Sequence, residues 1–540
     1  MLVQCNLVLL SYLHFTPFLV VVVAAAACTM SFYTPVAEIP KIVAELRESF
    51  QQGVALEIPY RKKQLLALAR MCTDNEEQFA EALKKDLNKP KAESVLFDIR
   101  FVAGEVARLL EHIDEWATAE APTVPLLNKL DGNRLVRDPL GVVLVIGAWN
   151  FPLMVSLCPM AGAIAAGNTV IVKPSELASH TAQLLSKLLP AYLDPKAYRV
   201  VNGGISETSA LLEQRFDSIC YTGGGAVAKI IMKAAANHLT PVLLELGGKN
   251  PVYVAEDADL AIAARRILWG RLLNAGQTCL SPDYVLIDKK LQPAFLEAAR
   301  AALNEFYGPD PKASPDLSRI INDAHWKRLS ALLTSGTVAI GGQTDAATRY
   351  IAPTILVDVP HDAPVMQNEV FGPILPIINV SSIDEAIKFI TSRDKPLATY
   401  LFTRNSKLQD EFLKRTSSGS TCVNDTILQG GVHGLPFGGV GASGMGSYHG
   451  KYSFEAFSHL RAVVYKNPGM EIVNTIRYPP YSDKKISWVS WLMIPVPKAY
   501  SASGAATASM FKVLLLAAIL AFVFKLNPQV IASIRHALGF

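Results

Sequence analysis

The sequence VVLVIGAWNFP occupies residues 142–152 and marks the point where the chain changes its pattern. From residue 35 to about residue 116 charged and apolar residues alternate with a helical period, whereas 142–146 is a continuous apolar run. A short apolar run bounded by glycine and proline predicts a strand buried on both faces. Further runs follow, with predicted helices between them, at 170–172, 198–201, 219–222 and 242–245. This alternation predicts a parallel sheet covered by helices on both faces.

The second half of the chain repeats this scheme. Predicted strands lie near 252–254, 284–287, 374–378, 399–402 and 421–423, again with helices between them. The expected fold class is therefore α/β, with two interleaved lobes that each contain a parallel-type sheet. Ligands in such sheets bind beyond the carboxyl ends of the strands, where Lys173, Gly223 and Glu245 lie.

Composition excludes several classes of protein. The chain has 540 residues, 50% of them hydrophobic and 18% charged, and a net charge of +4. A charge so close to neutral argues against nucleic-acid binding. The seven cysteines are scattered without a Cys-x-x-Cys pair, which favours a reducing compartment over a disulfide framework. Neither the cysteines nor the ten histidines show metal-ligand spacing, so no metal is expected.

Both ends of the chain are unusual. The first 37 residues carry no Lys, Arg, Asp or Glu, and residues 18–28 resemble a signal-peptide core, but Met30 is an equally good initiator. Residues 484–540 carry six Lys or Arg and no acidic residue around the apolar run 513–524. Residues 505–524 reach the roughly 20 residues that span a bilayer if Lys512 extends to the interface. We expect this tail to attach the chain to a membrane.

Four side chains are candidates for chemistry. Cys279 ends the sequence NAGQTC (274–279) in a loop, although a cysteine is more often a small core residue. Glu245 ends a buried strand, where burial would raise the pKa toward that of a general base unless the carboxylate is tied to Lys249. Glu369 precedes another strand. Asn150 is either a helix cap or an amide donor to an oxyanion.

Glycines mark a candidate phosphate site. Gly223, Gly224 and Gly225 follow a predicted strand and open a helix, where backbone amides can approach a phosphate. A formal G-x-G-x-x-G at 439–444 has no strand before it and no βα unit around it, so we reject it as a dinucleotide fingerprint.

These motifs together resemble the aldehyde dehydrogenases. The motifs that carry the resemblance are WNFP (149–152), KPSE (173–176), ELGGK (245–249), GQTC (276–279) and EVFGP (369–373), in the family's order and spacing. YHGK (448–451) and RYPP (477–480) resemble the class 3 branch, whose membrane-tailed members oxidise fatty aldehydes. The resemblance runs from about residue 35 to residue 480.

The resemblance implies a mechanism. Cys279, as a thiolate, would attack the aldehyde, and the Asn150 amide with the Cys279 backbone N–H would hold the oxyanion. Hydride transfer to the nicotinamide would leave a thioester, and Glu245 would activate the water that releases the carboxylic acid. Glu369 is a second acid/base candidate or a cofactor contact.

The resemblance also implies the cofactor and its contacts. Lys173 and Glu176 match ribose contacts, Gly223 and Gly224 the phosphate turn, and Phe371 a residue beside the nicotinamide. A carboxylate such as Glu176 favours NAD, although NADP is also accepted by class 3 enzymes. The chain departs from the class 3 pattern in having Gly224 and Gly225 where a polar pair is usual, and Ala228 where glycine is usual, which affects cofactor affinity and not the chemical step.

The expected organisation follows. We expect an apolar N-terminal extension (1–34), a Rossmann-like NAD-binding domain (35–247) with a small oligomerisation arm near 118–139, and a catalytic domain (248–432). A return to the cofactor and oligomerisation region (433–480) and a basic tail with an apolar helix (481–540) complete the chain. Expected partners are an aldehyde, membrane lipid and a second copy of the chain.

The expected location is an intracellular membrane, namely that of the endoplasmic reticulum, the mitochondrial outer membrane or a lipid droplet, with the catalytic domain facing the cytosol. Two rival hypotheses are a cysteine esterase or acyltransferase that uses Cys279 and Glu245 without redox chemistry, and a membrane-attached binding protein without catalysis.

Overall fold

A computed structural model describes residues 32–124, 128, 131–432, 434–466 and 468–493. The α-helices, in chain order, are α1 (Ile39–Gln51), α2 (Ile58–Asp74), α3 (Glu76–Leu87), α4 (Lys91–Ser94), α5 (Arg100–Ala117), α6 (Met154–Ala166), α7 (Ser179–Tyr192), α8 (Ile205–Leu212), α9 (Gly225–Ala236), α10 (Leu260–Leu272), α11 (Gln292–Tyr307), α12 (Asp323–Leu332), α13 (Pro364–Gln367), α14 (Ile383–Thr391), α15 (Ser406–Arg415), α16 (Lys451–Ala456), α17 (Glu471–Asn474) and α18 (Asp483–Met493).

The strands are β1 (Gly132–Pro139), β2 (Val142–Ile146), β3 (Thr169–Lys173), β4 (Tyr198–Val200), β5 (Ser218–Gly223), β6 (Val242–Leu246), β7 (Pro251–Val254), β8 (Tyr284–Ile287), β9 (Thr337–Ile340), β10 (Thr344–Asp345), β11 (Tyr350–Ile351), β12 (Thr354–Val357), β13 (Ile374–Asn379), β14 (Ala398–Phe402), β15 (Ser420–Val423), β16 (Gly444–Met445) and β17 (Ser458–Tyr465).

The first sheet has the strand order β16-β6-β5-β2-β3-β4. Strands β2 to β6 are parallel, and β16 adds an antiparallel edge beside β6. All five residues of β2 are buried, which is why the run 142–146 contains no polar residue. Helix α6 returns the chain to the sheet through small buried residues and ends at Gly167, whose φ of +93° suits glycine.

The second sheet has the strand order β15-β14-β7-β8-β13-β12-β9. Its central strands are parallel, and β9 pairs antiparallel with β12 at one edge. Its core contains the apolar residues of these strands together with those of the helices that cover them, including Ile387 and Phe412. The predicted α/β fold with two sheets is confirmed.

The two sheets meet through opposite ends of their strands. β2, β3, β5 and β6 run toward the site and deliver their carboxyl ends to it, whereas β7, β8 and β13 begin there. Short connections therefore bring Asn150 and Glu245, from strand ends, close to Cys279 and Glu369, which precede strands. Because the strands of one sheet end at the site and those of the other begin there, loop residues of both sheets lie close together at the site.

The described residues form two compact units. The first contains the described residues up to Trp116 together with Pro139–Ser458, and both large sheets lie in it. The second contains Ala117–Asp138 and the described residues from His459 onward, and here β1 pairs with β17. Within the described ranges no helix is long and apolar enough to cross a membrane. The predicted apolar tail helix near 505–524 and the extension 1–29 lie outside the described residues.

Candidate active site

The loop that carries Cys279 has an unusual backbone. Asn274 and Ala275 both have φ of +53°, and Gly276 follows with φ of +75°. Left-handed φ at two consecutive non-glycine residues is strained and is found where surrounding contacts enforce it. A Cβ on Gly276 would lie 2.3 Å from the carbonyl oxygen of Gly372, so only glycine fits there. The sequence of this loop therefore permits the backbone conformation that places Cys279 at the site.

Buried polar side chains hold this loop. The Gln277 amide donates to the carbonyl oxygens of Asn274 and Arg319, and the Thr278 hydroxyl donates to that of Leu273 at 3.1 Å. The Asn250 amide donates to the carbonyl oxygen of Cys279 at 2.7 Å. The position of the nucleophile candidate is consequently fixed by hydrogen bonds within the loop and from Asn250, which precedes β7.

Asn150 is directly connected to this loop. Its side-chain nitrogen donates to the carbonyl oxygen of Gln277 at 3.1 Å, and the residue is only 4% exposed. An amide nitrogen has two hydrogens, so one anchors the group and the second is available to an oxyanion. The alternative role as a helix cap does not hold, because the start of α6 is capped by Asp98, which accepts from the N–H groups of Leu153 and Met154.

Cys279 itself is half-buried. Burial raises the pKa of its thiol strongly, and the nearby carboxylates of Glu245 and Glu369 raise it further. A cysteine reacts as a nucleophile in its thiolate form, so in that role the Cys279 thiol would have to lose its proton to a base. The site therefore needs a proton acceptor beside the sulfur.

Glu245 is a candidate for this acceptor, since its charge acts on the Cys279 thiol. It lies at the end of β6 with 3% exposure, and neither carboxylate oxygen makes a hydrogen bond. Burial raises the pKa of Glu245 well above its usual value, and the nearby Gly439 amide only partly offsets this. The alternative tie to Lys249 is absent, because Lys249 pairs with Asp283 at 2.5 Å and donates to the carbonyl oxygens of Val365 and Asn368.

Glu369 faces the same region from the second sheet. Burial raises its pKa to about 8, while the Gly248 N–H and the cations of Arg271 and Lys249 act in the opposite direction. A Cβ on Gly247 would lie 1.9 Å from the Glu369 carboxylate, so the absence of a side chain at Gly247 makes room for Glu369. Asp283 fixes the loop by accepting from the Val370 N–H at 3.0 Å.

A cleft of about 500 Å³ lies beside these two glutamates. Its lining includes Gly224, Gly225, the glycine pair 247–248 and Glu369. Added Cβ atoms on Gly224 and Gly225 would meet nothing within 4 Å, so the backbone at the start of α9 is open to a ligand. Exposed backbone amides at a helix start fit a pyrophosphate, so the residues present suit a dinucleotide.

The other predicted cofactor residues lie outside the lining of this cleft. Lys173 and Glu176 form an ion pair of 2.7 Å at the carboxyl end of β3. The Phe371 ring packs edge-on against Trp149, with 5.4 Å between ring centroids. Gly223 has φ of +159°, and a Cβ there would lie 2.2 Å from the Tyr221 hydroxyl. These residues surround the site without all lining one cavity.

A second cavity, of about 350 Å³, ends at Cys279. Apart from Thr278, Cys279 and His449 its walls are apolar or glycine: Leu96, Phe97, Phe101, Phe151, Met154, Leu273, Leu280, Ile427, Leu428, Gly430, Gly431 and Phe437. Sequence reasoning missed this cavity. Its residues come from five separate stretches, and an apolar cavity wall has the same composition as ordinary core.

The buried ion network behind Glu369 was also missed. Arg271 and Lys249 both contact Asp283, and the Arg271 and Asp283 side chains are each 1% exposed. The signal in the sequence is Lys249 in ELGGK, which contacts Asp283 and not Glu245.

Comparisons with known proteins agree with this site. Residues 26–463 match the model of the aldehyde dehydrogenase family. The chain is 50% identical over 452 residues to mouse aldehyde dehydrogenase family 3 member A2, covering 84% of this chain and 93% of that protein. It is 49% identical over 441 residues to human aldehyde dehydrogenase family 3 member B1, covering 82% of this chain and 94% of that protein.

Solved structures give the same result. A substrate-bound Staphylococcus aureus AldH superposes with a TM-score of 0.82 at 38% identity, over 84% of this chain and 98% of that one. The P. syringae indole-3-acetaldehyde dehydrogenase AldA, in complex with NAD+, gives a TM-score of 0.74 at 26% identity, over 81% of this chain and 90% of that one.

The chain belongs to the aldehyde dehydrogenase family and is an NAD(P)-dependent oxidoreductase that acts on aldehydes. Within the family it falls in the class 3 branch, since its relatives named above are family 3 members. The predictions of the family, the enzyme class and the NAD(P) cofactor are thereby confirmed, and the redox-free esterase hypothesis is wrong.

Proposed function

We propose that the chain oxidises medium- to long-chain aliphatic aldehydes to carboxylic acids, with Cys279 as nucleophile. The observation that carries the proposal is the cavity of about 350 Å³ that ends at Cys279 and is lined by aromatic and aliphatic side chains. Its volume is in the range of small-molecule sites, roughly 300–1,000 Å³. A hydrocarbon chain loses little by entering such a cavity and gains about 0.8 kcal/mol for each buried methylene.

The proposed first step joins the Cys279 sulfur to the aldehyde carbon. The thiol proton passes to Glu245, whose oxygens make no hydrogen bond and whose charge acts most strongly on that thiol among the carboxylates. The carbonyl oxygen becomes an oxyanion that accepts from the second hydrogen of the Asn150 amide and from the Cys279 backbone N–H. A donor of this kind lowers the barrier by about 3 kcal/mol.

NAD, or NADP, would supply the hydride acceptor for oxidation of the thiohemiacetal on Cys279 to a thioester. Gly224 and Gly225 would hold its pyrophosphate through their backbone, and Lys173 with Glu176 would contact the ribose. Phe371 and Glu369 would lie toward the nicotinamide.

Release of the acid requires water. We assign Glu245, once it is ionised again, to take a proton from a water molecule that attacks the thioester carbon. The sulfur leaves as thiolate and recovers a proton, so the enzyme returns to its starting state. Glu369 is the second candidate for this base, because burial raises its pKa to about 8.

The tail and the second unit support two further parts of the proposal. Residues 484–540 have the basic and apolar composition of a membrane attachment, which would place the enzyme at an intracellular membrane where long-chain aldehydes concentrate. The exposed two-stranded sheet of β1 and β17 offers an edge for a homodimer.

A series of straight-chain aldehydes tests the substrate class. We expect KM to fall by up to about fourfold for each added methylene, the equivalent of about 0.8 kcal/mol, until the cavity is filled. NADH absorbance measures the rate. Equal kcat/KM for the shortest and longest aldehydes would show that the cavity does not bind the chain.

Two cysteine variants control this experiment. Cys279→Ala should abolish NADH formation, whereas Cys422→Ala should not change it, because Cys422 is an equally half-buried thiol in β15 that lies outside the cavity. Residual turnover by the Cys279 variant would assign the nucleophile elsewhere.

A further inference from the structure

A fully buried ion pair lies behind the Asn150 segment. Lys89 follows α3 and Asp98 precedes α5, and their side chains, 2.8 Å apart, are both 0% exposed. Removing two charges from water is costly, and the attraction between them often fails to repay it. The burial of this ion pair is therefore better explained by the geometry that it imposes on neighbouring residues than by a gain in the stability of the fold.

The contacts of the pair converge on one short segment. The Lys89 ammonium donates to the carbonyl oxygen of Asn150 at 2.9 Å and lies 4.0 Å from the centroid of the Phe151 ring. Asp98 accepts from the N–H of Leu153 at 3.2 Å and from that of Met154 at 3.0 Å. Residues 150–154 are thus held from one side by both members of the pair.

This segment has little regular structure of its own to hold it. It connects β2 to α6, and the carbonyl oxygen of Asn150 takes its hydrogen bonds from two side chains, those of Lys89 and Asn274. The Asn150 side chain makes one contact, to Gln277. With its backbone fixed, that side chain can direct its second amide hydrogen in only a narrow range of directions.

We propose that Lys89, oriented by Asp98, is a positioning residue that aims the Asn150 amide at the oxyanion formed on the Cys279 adduct. This inference rests on the oxyanion role proposed for Asn150 above. Lys89 acts through the Asn150 peptide and lies outside the lining of the substrate cavity. The ion pair then contributes to kcat and not to the binding of aldehyde or cofactor.

The test removes both charges together. Lys89→Met alone would leave a buried carboxylate without its partner, whereas the double variant Lys89→Met/Asp98→Asn is neutral and keeps an oxygen that can accept from Leu153 and Met154. Misplacement of a catalytic group by about 1 Å costs roughly 100-fold in rate. We expect kcat to fall ten- to 100-fold, with the KM for aldehyde, the Kd for NADH and the Tm almost unchanged.

A nearby ion pair provides the matched control. Lys91 and Glu77 also pair, but both side chains are largely exposed. The variant Lys91→Met/Glu77→Gln should keep full kcat. A kcat for the Lys89/Asp98 variant within twofold of the wild type would overturn the inference, and so would a loss confined to KM or Tm.

A double-mutant cycle separates this inference from the proposed role of Asn150. In an Asn150→Ala background the Lys89/Asp98 substitutions should cost less than twofold in kcat, because the group they position is gone. Additive losses would overturn the positioning role while leaving Asn150 as a donor. An Asn150→Ala enzyme with normal kcat would instead refute the oxyanion role itself.

Discussion

At the scale of single residues, the site places three ionisable groups where burial favours the protonated, uncharged form of each. Burial raises the pKa of Cys279, of Glu245 and of Glu369, and the charges of the two carboxylates raise that of the thiol further. Such opposed groups in a cleft are typical of proton transfer. The identity of these residues was predictable from motifs, but their protonation depends on burial, which a sequence does not display.

The raised pKa of Glu245 predicts how the rate depends on pH. A general base works only when ionised, so kcat should rise with pH as Glu245 loses its proton, at a pH well above the usual range of a carboxyl group. Glu245→Gln should remove this rise and lower kcat by about 100- to 10,000-fold. Steady-state NADH formation across pH measures both effects.

Glu369→Gln distinguishes the two carboxylates. The Glu369→Gln variant should keep the increase of kcat with pH if Glu245 is the base. Loss of the rise in the Glu369 variant, with an apparent pKa near 8 in the wild type, would assign the base to Glu369 instead.

At the scale of elements, apolar runs located the buried strands well. The runs at 142–146 and 284–287 coincide with β2 and β8, because a strand covered on both faces excludes polar residues. The prediction omitted the buried strand β12. It also omitted β9, whose residues are partly exposed, and β17, which is exposed along most of its length. Strands at exposed edges mix polar and apolar residues, so their sequences resemble loops.

The nucleophile loop allows an element-scale prediction. Gly276→Ala places a Cβ 2.3 Å from the Gly372 carbonyl oxygen, and backbone on both sides must move. We expect kcat to fall by about tenfold or more as Cys279 shifts, while binding of NADH is retained.

Gly308→Ala is its control. Gly308 has a similar φ of +71° but an added Cβ there meets nothing within 4 Å, so this variant carries the same backbone strain without the collision. A similar loss of kcat in both variants would mean that strain alone, and not the position of the loop, explains the effect.

At the scale of the whole molecule, function comes from two sheets that face each other through opposite strand ends. The sequence indicated that ligands belong at carboxyl ends, which holds for β3, β5 and β6. It did not indicate that Cys279 and Glu369 reach the same place from the beginnings of β8 and β13. Nor did it reveal the apolar cavity, whose wall is assembled from stretches as distant as Phe97 and Phe437.

The apolar cavity and the basic C-terminal tail should have separate functions. The cavity should set the response to aldehyde chain length, and residues 484–540 should set attachment to membranes. Deleting residues 494–540 should therefore leave kcat/KM for a soluble medium-chain aldehyde unchanged in detergent-free buffer. The same deletion should move the enzyme from the pelleted to the unbound fraction when it is sedimented with vesicles that contain anionic lipid, because the tail contributes basic residues and an apolar run.

A graded control keeps the full-length chain and replaces the four basic residues of the stretch 494–540 by Gln. These residues are Lys498, Lys512, Lys525 and Arg535. Attachment should weaken and become independent of anionic lipid, since the apolar run 513–524 still contributes. Equal sedimentation of the truncated and full-length enzymes would place the membrane contact outside residues 494–540. A truncated enzyme that sediments less but also loses its preference for longer aldehydes would show that the tail forms part of the substrate site.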